Sequence, residues 1–275
     1  MASDAHAHPY DLARLESDAE TERRLLGIAC AASAWHEEEF LFNERLAAAA
    51  VSDGAPPVVL CFGVHPQLPA AKGETDGPNA TAASLAFLRS LVAANRLAAI
   101  GEAGFDLFHG PGEDGFRETE PLQDDLFRAQ LDLAMGARLP MVLHLRRAMH
   151  KVFAYDRELS ALPAVIFHSY SGTLREAEAL LQHGVNAYFS FGTVICLNHK
   201  RAMEACAVLP AERLLLETDA PYQPLRGAGL SSWRDISSVI AAAARLRAAS
   251  GLPKADPEEL EATVDQNFRR AYGIS

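Results

Sequence analysis

The sequence is poor in cysteine and contains no apolar run long enough to cross a membrane. Its four cysteines have no C-x-x-C spacing, and three of them sit in or beside apolar runs, where a buried thiol is the expected state. No apolar stretch approaches the roughly 20 residues of a membrane span, and no apolar segment with a basic flank opens the chain. These absences predict a soluble, cytoplasmic protein with reduced thiols and no membrane partner.

The chain also lacks an excess of positive charge. It has 25 Lys and Arg residues against 36 Asp and Glu residues, a formal net charge of -11. Phosphate contacts depend on clustered Lys and Arg, so this balance argues against a basic nucleic-acid-binding face and requires any nucleic-acid substrate to use a local site. No sequence pattern indicates a large exposed apolar patch, and a monomer is the expected state.

What the chain does contain is a repeated alternation of short apolar runs and longer segments with helical periodicity. This alternation is typical of β-α units around a parallel sheet. The runs predicted as strands are residues 2–6, 26–31, 58–63, 98–101, 141–144, 164–168, 187–190 and 214–218. Helices are predicted at 121–137, 232–250 and 257–272, and loops at 67–81 and 108–120. The sequence therefore predicts an α/β protein, a (β/α)8 TIM barrel in which residues 1–275 form a single domain.

Several predicted strands end in side chains that can bind a metal. His6 and His8 are two residues apart, so on a strand both would face the same way. The other candidates, each at the end of a different strand, are Glu102, His144, His168 and Asp219. Each of them alone is as easily a structural histidine or a capping carboxylate, but in a (β/α)8 barrel all would meet at one mouth. Four histidines and two carboxylates exceed the needs of one tetrahedral zinc and suit two ions with a bridging carboxylate.

The motifs that carry these residues resemble the TatD family of metal-dependent hydrolases, within the amidohydrolase-like barrels. The matching motifs are DAHAH at 4–8, FGVHP at 62–66, IGEAGFD at 100–106, a Q-x3-F-x2-QL pattern at 123–131, PMVLHLRRA at 140–148, FHSYSG at 167–172, YFSFG at 188–192, LLLETDAPY at 214–222 and N-F at 267–268. Their order and spacing agree with the family over nearly the whole chain.

The resemblance implies a deoxyribonuclease with two divalent ions, Mg, Mn or Zn. One ion would be held by His6, His8, Glu102 and Asp219, and the other by Glu102, His144 and His168, with Glu102 bridging. Asp219 would also orient or deprotonate the attacking water. Family members are described as Mg-dependent deoxyribonucleases that act largely as exonucleases, which favours single-stranded DNA ends as the substrate.

Three further residues have roles that the resemblance implies outside the ligand set. His65 would lie near the substrate phosphate, although it could equally shape a His-Pro turn. Glu217 and Arg146 would fix the orientation of ligands, or would form a structural ion pair at the barrel mouth. Arg146, Arg147 and Arg226 fall on predicted mouth loops, where they could follow a nucleic-acid backbone or be solvated surface groups.

Two departures from the family pattern affect loops, which set substrate choice. The family's H-x-H-L-D becomes H-A-H-P-Y-D, so its acidic residue is displaced by one, to Asp11. Residues 225–235, LRGAGLSSWRD, stand where the family more often has a basic R-N-x-P stretch. Trp233 in this loop either packs against the last helices or binds a partner.

Two other functions remain open at this point. One is an amidohydrolase that cleaves a small phosphoester, lactone or cyclic amide. Many such barrels bridge their ions with a carboxylated lysine, but the four lysines all fall outside the predicted strands, and Glu102 occupies that position instead. The other is a non-catalytic metal-binding barrel that acts as an interaction module, which the complete set of ligands disfavours.

Overall fold

Eight parallel strands form one sheet in chain order. The computed structural model describes residues 1–70, 78–108 and 117–274. The strands are β1 (Ser3–Ala7), β2 (Ala29–Ala32), β3 (Val58–Phe62), β4 (Ala99–Asp106), β5 (Met141–Arg146), β6 (Val165–Phe167), β7 (Ala187–Phe191) and β8 (Leu214–Leu216). Each strand pairs in parallel with the next one. The predicted (β/α)8 barrel is thereby confirmed.

Helices follow the strands and surround the sheet. They are α1 (Pro9–Leu15), α2 (Ala19–Leu26), α3 (Glu37–Asp53), α4 (Pro78–Ala93), α5 (Glu120–Ala137), α6 (Met149–Val152), α7 (Asp156–Leu159), α8 (Leu174–Gln182), α9 (Lys200–Val208), α10 (Asp235–Ala249) and α11 (Pro257–Tyr272). The three predicted helices correspond to α5, α10 and α11. Among the described residues, no helix combines the length and the apolar character that a membrane span requires.

Some predicted boundaries differ from the structure for local reasons. The strand predicted from residue 26 starts at Ala29, because Leu26 ends α2 and Gly27 caps that helix in the left-handed conformation, with φ 68°. The loop predicted at 67–81 contains a 3-10 turn at Leu68–Ala70 and gives way to α4 at Pro78, a residue suited to a first helical turn. The loop predicted at 108–120 ends in a 3-10 turn at Arg117–Thr119. Residues 71–77 and 109–116 of these two loops lie outside the described residues.

The core has two layers, one inside the barrel and one between the barrel and the helices. Side chains alternate between them along the regular strands, as in β6, where Ile166 belongs to the inner layer and Val165 and Phe167 to the outer one. The last helix closes the inner layer at the N-terminal end of the strands, where the Tyr272 hydroxyl donates to the carbonyl of Ala5 at 2.7 Å. The opposite, C-terminal end is left for a site.

The barrel closes between β1 and β8 through a buried carboxylate. Asp4 accepts hydrogen bonds from the Thr218 hydroxyl at 2.6 Å and from the Thr218 backbone at 3.1 Å. Backbone bonds continue the closure beyond β8, from Asp219 N to the His6 carbonyl at 3.0 Å and from His8 N to the Ala220 carbonyl at 2.8 Å. These bonds fix His6, His8 and Asp219 relative to one another.

Irregular register in two strands changes which side chains face inward. In β4 the pairing with β5 shifts between Ile100 and Ala103. Ala99 belongs to the inner layer and Ala103 to the outer one, whereas a regular strand places residues four apart on the same face. The shift thus turns Glu102 toward the barrel interior, which is what a β-bulge does. In β1 a similar shift lies between Asp4 and Ala7.

Three of the four cysteines are buried in the core. All four thiols are unpaired, with Cys30, Cys61 and Cys206 buried and Cys196 half-buried. Burial raises the pKa of the Cys30 thiol to about 12, so this thiol is an inert core group.

Candidate metal centre

The six residues predicted as metal ligands meet at the C-terminal mouth of the barrel. Five of them line a cavity of about 740 Å³, and His6 is buried beside them. Two of the local interpretations are wrong. His8 is not on a strand but caps α1, because Pro9 begins that helix. Glu102 does not end its strand, since β4 continues to Asp106.

One carboxylate oxygen of Glu102, Oε2, faces the two histidines of the H-x-H pair. It lies 3.3 Å from His6 Nε2 and 3.4 Å from His8 Nε2. Asp219 Oδ1 is on the same side, 3.7 Å from His6 Nε2 and 3.5 Å from His8 Nε2. The two Nε2 atoms are 3.3 Å apart. This side of Glu102 therefore collects two imidazole nitrogens and a second carboxylate oxygen.

The other oxygen of Glu102, Oε1, faces three imidazoles. It lies 3.0 Å from His168 Nε2, 3.2 Å from His144 Nδ1 and 3.6 Å from His65 Nε2. His168 Nε2 and His144 Nδ1 are 3.4 Å apart. His65, which the resemblance assigns to the substrate phosphate, is thus directed at the same oxygen as two predicted ligands.

The donor chemistry of the cluster fits divalent metal ions. Groups that offer one ligand atom each within 4.8 Å of one another are His6, His8 and Glu102; His6, His168 and Asp219; and His65, Glu102 and His144. Imidazole nitrogens mixed with carboxylate oxygens suit Zn, Mn or Fe, and also Mg where nitrogen is accepted. All six predicted ligands are present in this cluster.

Contacts within the cluster shift pKa values in different directions. Burial favours the neutral Glu102 carboxyl, but the surrounding imidazoles hold its pKa well below the usual range. Burial also acts to lower the pKa of His8, yet Asp219 and Glu102 outweigh it and raise this pKa to about 10. At His65 burial prevails and the pKa is lowered. The metal-free cluster therefore holds ionised carboxylates and a proton that an ion would displace.

Comparison with known proteins gives the family. The sequence model of the TatD-related DNase family matches residues 3–273 of this chain. The chain belongs to this family. The uncharacterized metal-dependent hydrolase TatD of Mycobacterium tuberculosis is 34% identical over 197 residues, which is 70% of this chain and 71% of that protein. The 3'-5' ssDNA/RNA exonuclease TatD of Cronobacter sakazakii is 32% identical over 225 residues, 76% of this chain and 75% of that protein.

A solved structure shares the fold. The crystal structure of YjjV, a TatD homologue from Escherichia coli, superimposes with a TM-score of 0.78 at 24% identity and covers 100% of this chain and 98% of its own. At this identity the likeness concerns the barrel alone.

In this TatD-family chain, carboxylates stand behind two of the imidazoles. Glu217 Oε1 lies 3.2 Å from His168 Nδ1 and accepts the backbone N–H of Ser169 at 2.7 Å. Asp106 Oδ2 lies 3.5 Å from His144 Nε2. A carboxylate in this position fixes the ring and its tautomer, so that the other nitrogen presents a lone pair to the site. Glu217 was among the sequence candidates, whereas Asp106 was not.

Sequence reasoning missed Asp106 and Gln223. Asp106 is fully buried at the end of β4 and also accepts the Gln67 side chain at 2.6 Å. Gln223 donates to Asp219 Oδ2 at 2.8 Å and to Ser169 Oγ at 2.7 Å. Both lie in or beside motifs quoted above, IGEAGFD and LLLETDAPY. A longer fourth strand would have directed attention to Asp106.

The three arginines predicted at the barrel mouth differ in their distance from the cavity. Arg146 lines the cavity, with its guanidinium carbon 3.8 Å from the centroid of the Phe108 ring and NH1 3.7 Å from Asp106 Oδ2. It ends β5 rather than lying on a loop. Arg147 is exposed and lies 5.5 Å from the same ring. Arg226 is exposed and is not among the described residues that line the cavity.

The second half of the unusual loop at 225–235 packs on the barrel, while residues 226–229 are exposed. Trp233 is 1% exposed and belongs to the outer core with Ile236 of α10. Ser231 donates its hydroxyl to the Thr218 carbonyl at 3.1 Å. Trp233 is therefore a packing residue, which is the first of the two alternatives that the sequence left open.

Proposed function

We propose that this chain hydrolyses phosphodiester bonds at the ends of single-stranded nucleic acid, with two divalent ions held across Glu102. The residues that would hold the ions are His6, His8, Asp219 and Glu102 on one side, and His144, His168 and Glu102 on the other. The candidate ions are Mg, Mn and Zn. The name of the Cronobacter relative, an exonuclease on single-stranded DNA and RNA, supports this substrate and suggests attack from the 3' end.

The proposal rests on one observation: the two carboxylate oxygens of Glu102 contact different pairs of histidines. Oε2 approaches His6 and His8, while Oε1 approaches His144 and His168. A bridging carboxylate needs this arrangement, because each oxygen can then be a ligand of a different ion. Paired ions suit an in-line displacement at phosphorus, in which both the attacking and the leaving oxygen carry charge.

Bound divalent ions would supply Lewis acidity that neutralises charge on the phosphoryl oxygens and lowers the pKa of nearby water. Asp219 would accept the proton of the attacking water. Burial acts to raise the pKa of Asp219, but the imidazoles of His8, His168 and His6 outweigh this effect and lower the pKa, so the carboxylate is ionised. Gln223 holds Asp219 Oδ2 at 2.8 Å, which leaves Oδ1 directed at the cluster.

His65 would donate a hydrogen bond to the substrate phosphate. The backbone N–H of Gln67 donates to His65 Nδ1 at 3.2 Å, and burial lowers the pKa of this imidazole. A neutral ring whose Nδ1 accepts a bond carries its proton on Nε2. That nitrogen lies 3.6 Å from Glu102 Oε1, and His65 lines the cavity, so a protonated Nε2 is better suited to donate to an oxygen than to bind an ion.

We also propose that residues 1–275 act as one domain that is monomeric and cytoplasmic. The outer core runs from the first helices to the last without a break, and four unpaired thiols suit a reducing compartment. Light scattering on the purified protein tests the monomer. A mass of two chains at micromolar concentration would contradict it.

The proposed function is tested with single-stranded DNA labelled at the 3' or the 5' end, after loading the protein with Mg, Mn or Zn. Wild type should shorten the strand stepwise, and the label lost first gives the polarity. Glu102→Gln should abolish shortening. The matched control is Glu178→Gln, an exposed glutamate on α8, which should behave as wild type. Intact DNA combined with hydrolysis of small phosphoesters would favour a small-molecule hydrolase instead.

A further inference from the structure

An aromatic ring stands exposed at the edge of the cavity. Tyr222 is 58% exposed, and among the described residues it is the one large apolar side chain that is both well exposed and part of the cavity lining. Trp35 also lines the cavity, but it is half-buried and packs against the cluster of Val64 and Leu68. A single exposed apolar side chain is common on a protein surface, but this ring lines the cavity and is therefore placed to contact a ligand that enters it.

The Tyr222 ring is held in place at both ends. Its backbone N–H donates to the Asp219 carbonyl at 2.7 Å, which makes a tight turn directly after the cluster. Its hydroxyl donates to Asp11 Oδ2 at 2.7 Å. Asp11 is the acidic residue that the sequence displaces by one position relative to the family pattern. A ring fixed in this way loses little conformational freedom when a ligand stacks on it.

The ring also stands close to the proposed ions. Its centroid is 5.1 Å from that of His8, and the two rings meet edge to face at 81°. A nucleotide whose phosphate lies at the cluster would carry its base toward this ring. The chain has a net charge of -11, so it gains little from general phosphate attraction and needs another source of affinity for a strand.

We propose that Tyr222 is a stacking platform for the terminal nucleobase of the substrate, and that Asp11 positions its ring. This inference rests on the proposed nuclease function and names the part of the strand that the cavity recognises. Stacking on an aromatic ring tolerates any base, because every base has a π-face. The platform therefore gives affinity for strand ends without sequence preference.

The test compares two forms of one single-stranded DNA, with natural bases throughout or with abasic tetrahydrofuran residues at both ends. Tyr222→Ala should lower kcat/KM on the natural form by roughly 5- to 100-fold, mostly through KM. The preference of the wild type for natural over abasic ends should disappear in this variant. Tyr222→Trp keeps a ring and should keep the preference. Asp11→Ala frees the ring and should fall between these two.

The control variant is Tyr10→Ala. Tyr10 packs on Phe42, at 5.5 Å between centroids, and is not among the described cavity-lining residues, so its loss should leave the preference unchanged. If Tyr222→Ala slows both forms equally, or if wild type shows no preference, the stacking role is overturned while the nuclease stands. If metal-loaded wild type cleaves neither form, the proposed function fails and the inference fails with it.

Discussion

The two sides of Glu102 differ in where their negative charge lies. Beside Oε2, a second carboxylate is in direct contact with the imidazoles, since Asp219 Oδ1 lies 3.5 Å from His8 Nε2. Beside Oε1, the additional carboxylates contact the far side of the imidazole rings. Glu217 contacts His168 in this way, and Asp106 contacts His144. The Oε2 side therefore offers a second carboxylate oxygen to an ion. The Oε1 side offers imidazole nitrogens whose rings are held by carboxylates on their far side.

This difference predicts unequal ion preferences. An ion beside Oε2 would have two carboxylates among its ligands, a set that Mg and Mn accept, whereas the imidazoles beside Oε1 suit Zn. Carboxylates behind a histidine raise the basicity of its free nitrogen and fix the ring. The Oε1 side therefore depends on Glu217 and Asp106, which would not touch its ion. The Oε2 side depends on Asp219, which would be a ligand of its ion.

The largest effect is expected from Glu102→Ala, which removes a ligand from both sides at once. Both ions should be lost, and kcat should fall by roughly 10³-fold or more, because Lewis acid stabilisation is worth several kcal/mol. Metal content measured after gel filtration, together with the DNA assay, checks this result. Retention of a full metal complement would show that Glu102 does not bridge.

Asp219→Ala should break only the Oε2 side. We expect one ion to be retained beside Oε1, while activity falls by roughly 10²- to 10³-fold because one ion and the proton acceptor are lost together. Metal analysis of the variant separates this outcome from that of Glu102→Ala. If both ions leave together, the two sides are one cooperative site and the comparison fails.

The sequence was sufficient for the barrel and for bringing the candidate ligands together at its mouth. Apolar runs that end in His168 or in His144 indicate both a strand and the chemistry at its end, and parallel strands bring such ends together. The division of Glu102 between two sides was implied by the family resemblance, but the periodicity of the sequence could not give it. It depends on the register shift in β4 between Ile100 and Ala103, which arises from pairing with a strand far away in sequence.

The role of Asp106 also could not be predicted from local sequence, because the predicted fourth strand was too short. The predicted fourth strand ends at Gly101, yet β4 continues through two glycines to Asp106, although glycine is a poor strand former. Two glycines are required where neighbouring strands approach each other closely. A Cβ on Gly63, after β3, would lie 2.5 Å from the Glu102 carbonyl oxygen. Gly104 of β4, at φ 141°, faces the His144 backbone. These glycines allow close strand contact beneath the site, which local propensity does not reveal.

A smaller effect is expected from Glu217→Gln, which acts on the Oε1 side through His168. The change keeps the volume of a buried side chain and removes its charge, so affinity for the ion beside Oε1 should fall by roughly 10- to 100-fold. Titration of the metal-free variant with Mn²⁺ should show one weakened and one unchanged ion. Equal weakening of both would mean that Glu217 acts through the whole cluster.

The smallest effect is expected from a change of one pH unit, and its sign follows from His8. Asp219 and Glu102 raise the pKa of His8 to about 10 in the metal-free fold, above the value of about 6.5 for an unfolded histidine. Protonated His8 therefore stabilises the metal-free protein fully below about pH 6.5, and this stabilisation is lost as the pH rises through about 10.

Metal binding should follow the opposite trend, because an ion needs the neutral imidazole and must displace this proton. Apparent affinity beside Oε2 should then rise with pH by up to about tenfold per unit across this window. The melting temperature gained on adding metal should grow in parallel. His65→Gln should leave this slope unchanged, because burial lowers the pKa of His65 and the neutral ring releases no proton in this window. A gain in melting temperature that is independent of pH would mean that His8 is already neutral, and that the Oε2 side is less charged than its contacts imply.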